Sequence, residues 1–264
     1  MAHEPTTTSH AFNPPALPQV RKISKADLED ALAKGFSDFR EKPSHVFFLG
    51  IIYPIVGLLL ARLAFGYALL PILFPLVAGF ALLGPLAAIG FYEISRRREQ
   101  GLDTSWWQVF GLFRSKSIGA IMALGLLLMV LYVAWLSTAN AIYLSYFGPK
   151  YPASFGEFFH QVFATPEGLM LILIGNAAGF LFALLIFSIS VVSFPLLVDR
   201  DVSAPAAMVT SIRAVAANPL IMMGWAIFIT LALIVGSLPF LLGLAIVLPV
   251  LGHASWHLYK KIVV

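Results

Sequence analysis

Gly84-Pro85-Leu86-Ala87-Ala88-Ile89-Gly90-Phe91-Tyr92-Glu93-Ile94-Ser95-Arg96-Arg97-Arg98 is an apolar run that ends in three arginines. The apolar part suits hydrocarbon and the arginines suit water, so the stretch reads as a membrane helix leaving the bilayer. Weaker versions of the ending recur at Phe194-Pro195-Leu196-Leu197-Val198-Asp199-Arg200 and from Pro249 through Trp256 to Lys260-Lys261. Together they predict three membrane helices that emerge on one side.

The composition supports this. The 264 residues are 59% hydrophobic and 11% charged, where a soluble domain carries about a quarter charged residues. Mean hydropathy is +0.89. The expected fold class is all-α, a polytopic membrane protein whose helices satisfy their own backbone polar groups in lipid. Cysteine is absent, which excludes a disulfide framework, a thiol nucleophile and a cysteine-held metal. The chain has no Gly-Lys-Ser phosphate loop, His-Glu-x-x-His or Gly-x-Ser-x-Gly. Its basic residues report topology, and nothing separate points to nucleic acid.

Along the chain, residues 1–22 lack periodicity and are expected to form a disordered tail. Residues 23–264 form the integral membrane domain. Six spans are expected, at about 45–64, 67–92, 118–146, 168–198, 219–236 and 238–259. The fourth runs about thirty residues without a charge, more than the ~20 needed to cross, so it is tilted or extends beyond the bilayer. Gly175 and Gly179 within it form a weak small-xxx-small packing pattern.

Amphipathic stretches precede three of the spans. Residues 24–42 open with Ser24 and Asp27 in a capping-box-like start and end at Pro43. This helix is expected in the membrane interface, or packed on the cytoplasmic face. Residues 104–116 place Trp106, Phe110 and Phe113 at helical spacing with Trp107 beside them, as interfacial anchors. Residues 203–218 form the third stretch. A further short interfacial helix is expected at Phe155, Phe158, Phe159, Val162 and Phe163. An amphipathic helix followed by a membrane hairpin, used three times in parallel, describes the layout.

Charge sets the orientation. With six spans, Arg62 and Lys150 lie on one side, and the other fifteen of the 17 Lys and Arg residues lie opposite or in the tails. The positive-inside rule then places both termini in the cytoplasm. Arg96, Arg97, Arg98, Lys260 and Lys261 mark that face.

Candidate chemistry is sparse. His253 and His257 share a helical face, and histidines so spaced can hold haem or metal in a bundle. The competing reading is a polar pair, hydrogen-bonded near the cytoplasmic end. Few other membrane histidines, no cysteine and no carboxylate at mid-span favour the latter, so no cofactor is expected. Glu93 reads as a paired structural carboxylate at the depth of His257. Asn140 and Asn176 lie within spans, where interhelical hydrogen bonds account for them without a ligand.

Residues 23–40, Gly79-Phe80-Ala81-Leu82-Leu83-Gly84-Pro85, the segment Gly90 to Arg98 and Ser105-Trp106 resemble a family of bacterial multi-spanning integral membrane proteins with a domain of unknown function. Members are often labelled cytochrome c oxidase subunits. The resemblance implies a bacterial inner-membrane protein and brings no catalytic residue. The expected role is a non-enzymatic scaffold or accessory subunit of a membrane complex. Its partners would be the lipid bilayer and other membrane proteins. A transporter or channel for a small solute or lipid, and an accessory subunit of a respiratory redox complex, are the alternatives.

Overall fold

The computed structural model describes residues 17–41, 57–58, 70–238 and 241–264. The described residues are helical apart from connectors and one isolated antiparallel bridge between Val20 and Val263. Among the described residues, four helices are long and apolar enough to cross a membrane: Leu70–Glu99, Ile118–Phe147, Pro166–Asp199 and Pro219–Ser237. The expected span at 45–64 falls almost wholly outside the described residues.

The first of these helices is a broken rod. It comprises α2 (Leu70–Phe80), a 3-10 turn (Ala81–Leu83), α3 (Gly84–Ala87) and α4 (Ile89–Glu99); the helix Lys25–Glu41, earlier in the chain, is α1. Pro85 causes the break, because its ring displaces the carbonyl of Ala81 and it has no N–H to donate. The amide of Gly84 takes up the Ala81 carbonyl instead, in a 3-10 bond. The rod is gripped by α5 (Ile118–Phe147), whose Tyr132 hydroxyl donates to the Leu76 carbonyl at 3.2 Å. Trp135 Nε1 donates to the Pro75 carbonyl at 2.9 Å. Gly79 permits this approach, since a Cβ there would meet the Tyr132 ring at 2.5 Å.

A hairpin turn leads through α6 (Phe155–Ala164) into α7 (Pro166–Ser190) and α8 (Ser193–Asp199). Thr165 caps α7, accepting the Gly168 amide at 3.0 Å. The long fourth apolar stretch, Pro166–Asp199, is broken near its end. Pro195 interrupts it at Val191–Val192, and Ser211 of α9 (Ala204–Ala217) accepts the Val192 amide at 3.2 Å. α8 is almost entirely buried in protein.

α10 (Pro219–Ser237) and α11 (Leu244–Ile262) complete the chain. The expected span at 238–259 includes residues 239–240, which lie outside the described ones, and is not among the four candidate spans. α11 begins at Leu244 and buries its polar C-terminal half against other helices.

Of the two placements expected for the N-terminal helix, packing on the protein is the one in the structure. α1 packs along α11 instead of lying free in the interface. Its Ala31 is fully buried, and a Cβ on Gly35 would meet the backbone nitrogen of Ala254 at 2.5 Å. Lys261 near the end of α11 binds Asp30 at 2.8 Å and Asp27 at 3.4 Å. Residues beside the expected boundary at 22 bond to the C-terminal part of the chain. Arg21 N donates to the Ile262 carbonyl at 2.9 Å, and Asn218 Oδ1 accepts the Ile23 amide at 2.8 Å. The three amphipathic stretches thus do not share one placement: α1 lies on α11, α9 lies against α7 and α8, and residues Trp106–Arg114 form a 3-10 segment.

The Gly35 contact is with backbone, which has nowhere to move. Gly35→Leu is expected to lower stability by about 1–3 kcal/mol and to make α1 susceptible to protease. Thermal unfolding and limited proteolysis in detergent check this, and an unchanged melting temperature with α1 still protected would contradict the packing.

Candidate functional site

Small residues on α1 and α11 bring the two helices close, and the face they share carries charge. At 3–4-residue spacing α1 presents Asp27, Asp30, Ala31, Gly35, Asp38 and Glu41 along one side. Asp38 is buried there and becomes the hub of a polar cluster with α4 and α11.

Ser95 of α4 donates its hydroxyl to Asp38 Oδ2 at 2.5 Å. Having spent its proton, the Ser95 oxygen accepts from His253 Nδ1 at 2.8 Å, which assigns the Nδ1 proton. His257 Nε2 donates to the same Asp38 oxygen at 2.9 Å. The other nitrogen of His257 faces Glu99 Oε1 at 3.4 Å. Arg98 completes the hub, pairing with Asp38 Oδ1 and with Glu41. The Phe91 ring meets His253 edge-on at 5.3 Å between centroids and closes the apolar side.

Ser95, Arg98 and Glu99 stand in the last turns of the Leu70–Glu99 helix, so the cluster lies at that helix's end, and its Asp38, Ser95, His253 and His257 are buried. Burial raises the Asp38 carboxyl, but the bonds from His257 and Ser95 and the nearby histidine charge outweigh it and hold it below its ordinary value. Burial opposes the His257 cation, and the bonds to Asp38 and Glu99 outweigh that, so the imidazole titrates above its ordinary value. The arrangement favours an imidazolium held between two carboxylates. It is a charged clasp that joins three helices.

The sequence-predicted residues divide between this cluster and other places. His253 and His257 are in it. Of the three arginines only Arg98 is. Arg96 is bidentate on Glu93, with Nε and Nη2 at 2.7 and 2.8 Å from its oxygens, and Arg97 reaches Glu93 at 3.4 Å. Glu93 is therefore occupied by its own helix, and Glu99, one and a half turns on, is the carboxylate beside His257. Lys260 pairs with Asp199 at 3.3 Å and lies over the Trp256 ring. Asn176 donates to its own helix at the Ile172 carbonyl, 2.7 Å away, and Asn140 is half-buried on α5. Among the described residues, no group of three or more His, Asp or Glu side chains is placed to hold a metal ion.

Asp38, Ser95 and Glu99 were missed by sequence reasoning. Asp38 falls off the apolar positions of its helix. The available signal was the alternation of Ala31 and Gly35 with acids on one side of α1, which marks a close-packed face and not a lipid-facing one.

Trp106 and Trp107 separate. Trp106 turns inward onto Phe91, with ring centroids 6.0 Å apart, and Trp107 is 80% exposed. The α-helical spacing that grouped Trp106 with Phe110 and Phe113 is replaced by a 3-10 repeat of three residues, which aligns Trp107, Phe110 and Phe113.

A bundle of membrane-length helices with polar groups gathered at one end defines a polytopic helical membrane protein. More particularly, residues 73–199 match the family described as predicted integral membrane protein (DUF2189). That stretch includes Glu93, Ser95, the three arginines and Asp199, but neither α1 nor α11. The description names a membrane protein and no activity. No curated protein and no solved structure matches the chain.

Asp38→Asn removes the only anion shared by His257, Ser95 and Arg98, and is expected to cost on the order of 3 kcal/mol. The wild-type clasp should also be pH-dependent. The depressed Asp38 contributes fully above the ordinary 3.8 and loses its contribution as pH falls through its lower folded value. The raised His257 contributes fully below the ordinary 6.5 and loses it as pH rises through its higher folded value. Unfolding followed across pH should show a maximum between those limits that flattens in Asp38→Asn; an equal profile in both proteins would contradict the clasp.

Proposed function

We propose that the protein is a non-enzymatic scaffold or accessory subunit of a complex in the bacterial inner membrane, with both termini cytoplasmic. The observation that carries this reading is how the spans use their polar side chains. Ser137, Thr138, Asn176, Thr230 and Ser237 each donate to the carbonyl four residues back on their own helix. Side chains satisfied in this way do not converge on a shared polar path, whereas a solute carrier concentrates polar groups near the midplane at a helix interface.

Buried charge is instead collected at one end, where it holds α1, α4 and α11 together. Much of the apolar surface of α10 stays open, with Leu231 and Ile234 more than half exposed. Such a face suits lipid and neighbouring membrane helices, which pack by shape in hydrocarbon. The arginine and lysine distribution supports the orientation.

The test combines transport with proximity. Purified protein in liposomes should conduct protons, potassium and small uncharged solutes no faster than protein-free vesicles. A photo-crosslinker at Leu231 or Ile234 in native membranes should give one discrete adduct with another membrane protein. A reporter fused after Arg98 should score cytoplasmic. Saturable solute flux would overturn the scaffold reading in favour of a carrier.

A further inference from the structure

Two rows of aromatic rings stand on opposite ends of α5, and the cluster around Asp38 uses neither. The first is Trp107, Phe110 and Phe113, which are 80%, 58% and 66% exposed. Their ring centroids are spaced 6.0 and 6.3 Å apart. The second is Phe155, Phe159 and Phe163 on α6, spaced 5.4 and 5.2 Å and likewise exposed. In each element a residue beside the row turns toward the protein, buried Leu112 in the first and buried Val162 in the second.

We propose that these two rows are interfacial lipid anchors, one in each leaflet, which together set the depth of the protein in the bilayer. The tethers are the first argument. The Trp107 row is joined to the start of α5 by residues 115–117 alone, and residues 100–105 join it to the end of α4. A segment held so closely between two membrane-length helices cannot leave the membrane surface. At the other end, α6 runs into α7 through Thr165, and Gly168 fits directly against the carbonyls of Gln161 and Val162, where a Cβ would lie 2.2 Å from the first. That contact fixes the tilt of α6 and so the direction its phenylalanine row faces.

The second argument is length. α5 has 30 residues, which at a rise of 1.5 Å per residue makes about 45 Å. A bilayer with its headgroup regions measures about 40–45 Å. Rows at the two ends of α5 therefore fall at the two headgroup zones, where aromatic side chains are favoured. Met122 and Leu126, in the first turns of α5 that follow the first row, are exposed as well. Charge distinguishes the two ends. Exposed Arg114 and Lys116 flank the first row, which suits it to the leaflet with anionic headgroups.

The test uses full-length protein labelled with 5-fluorotryptophan, in nanodiscs of phosphatidylcholine and phosphatidylglycerol. Trp107→Phe and Trp106→Phe assign the two neighbouring resonances, and Phe159→Trp supplies a reporter in the second row. Lipid carrying a nitroxide at acyl carbon 5 should broaden the Trp107 signal and the signal added by Phe159→Trp at least threefold more than an aqueous gadolinium chelate does. Trp106 should be broadened less than Trp107. Broadening of either row mainly by the aqueous chelate would overturn the proposal. So would insensitivity to both agents, because the row would then be covered by protein, such as a second copy of the chain.

Discussion

A carboxylate buried among three helices must be neutralised where it lies, and Asp38 is neutralised from every side. Ser95 and His257 donate to one oxygen and Arg98 to the other. The burial of α1 against α11 depends on this, because Asp38 would otherwise enter a closed interface as an uncompensated charge. The dependence is mutual. Gly35 and Ala254 allow the backbones to approach closely enough for Asp38 to reach His257, and the ion pairs repay the polar face that the approach buries. The result ties an N-terminal helix to the C-terminal one across 219 residues of sequence.

The membrane part obeys a different constraint. In lipid a freed backbone group has no water to turn to, so each proline break needs a local substitute. At Pro85 the substitute is a 3-10 bond from Gly84 to the Ala81 carbonyl, and in the break before Pro195 the Ser211 hydroxyl accepts the Val192 amide that the interrupted helix leaves over. The polar side chains of the spans bond back to their own helices in the same economy of donors. These helices therefore present apolar surface outward, while ionised groups gather where the chain leaves the bilayer.

Features with a local cause were legible in the sequence. The apolar run ending at Arg96, Arg97 and Arg98 located a helix end. The excess length of the fourth apolar segment was visible too, although its resolution into α7 and α8 depends on Ser211 in another helix. Features with a distant cause were not legible. Asp38 looks like any acid on an amphipathic helix until α11 is placed against it, and Glu93 and Glu99 flank the same arginines with nothing local to say which meets His257. The aromatic segment shows a third kind of difficulty. Trp106, Phe110 and Phe113 fit an α-helical period, Trp107, Phe110 and Phe113 fit a 3-10 period, and the short connectors to α4 and α5 decide between them.

The coupling between Asp38 and His257 is the most direct measure of whether the buried carboxylate organises this end of the protein. A double-mutant cycle with Asp38→Asn, His257→Gln and the combined variant, unfolded in detergent near pH 6, isolates it. Neighbours in one hydrogen-bonded charge network couple by about 0.5–3 kcal/mol, and the geometry predicts a value above about 1.5 kcal/mol, within the range for close, desolvated charge pairs. Additive effects of the two substitutions would show that the residues stabilise the fold independently, and would contradict the clasp.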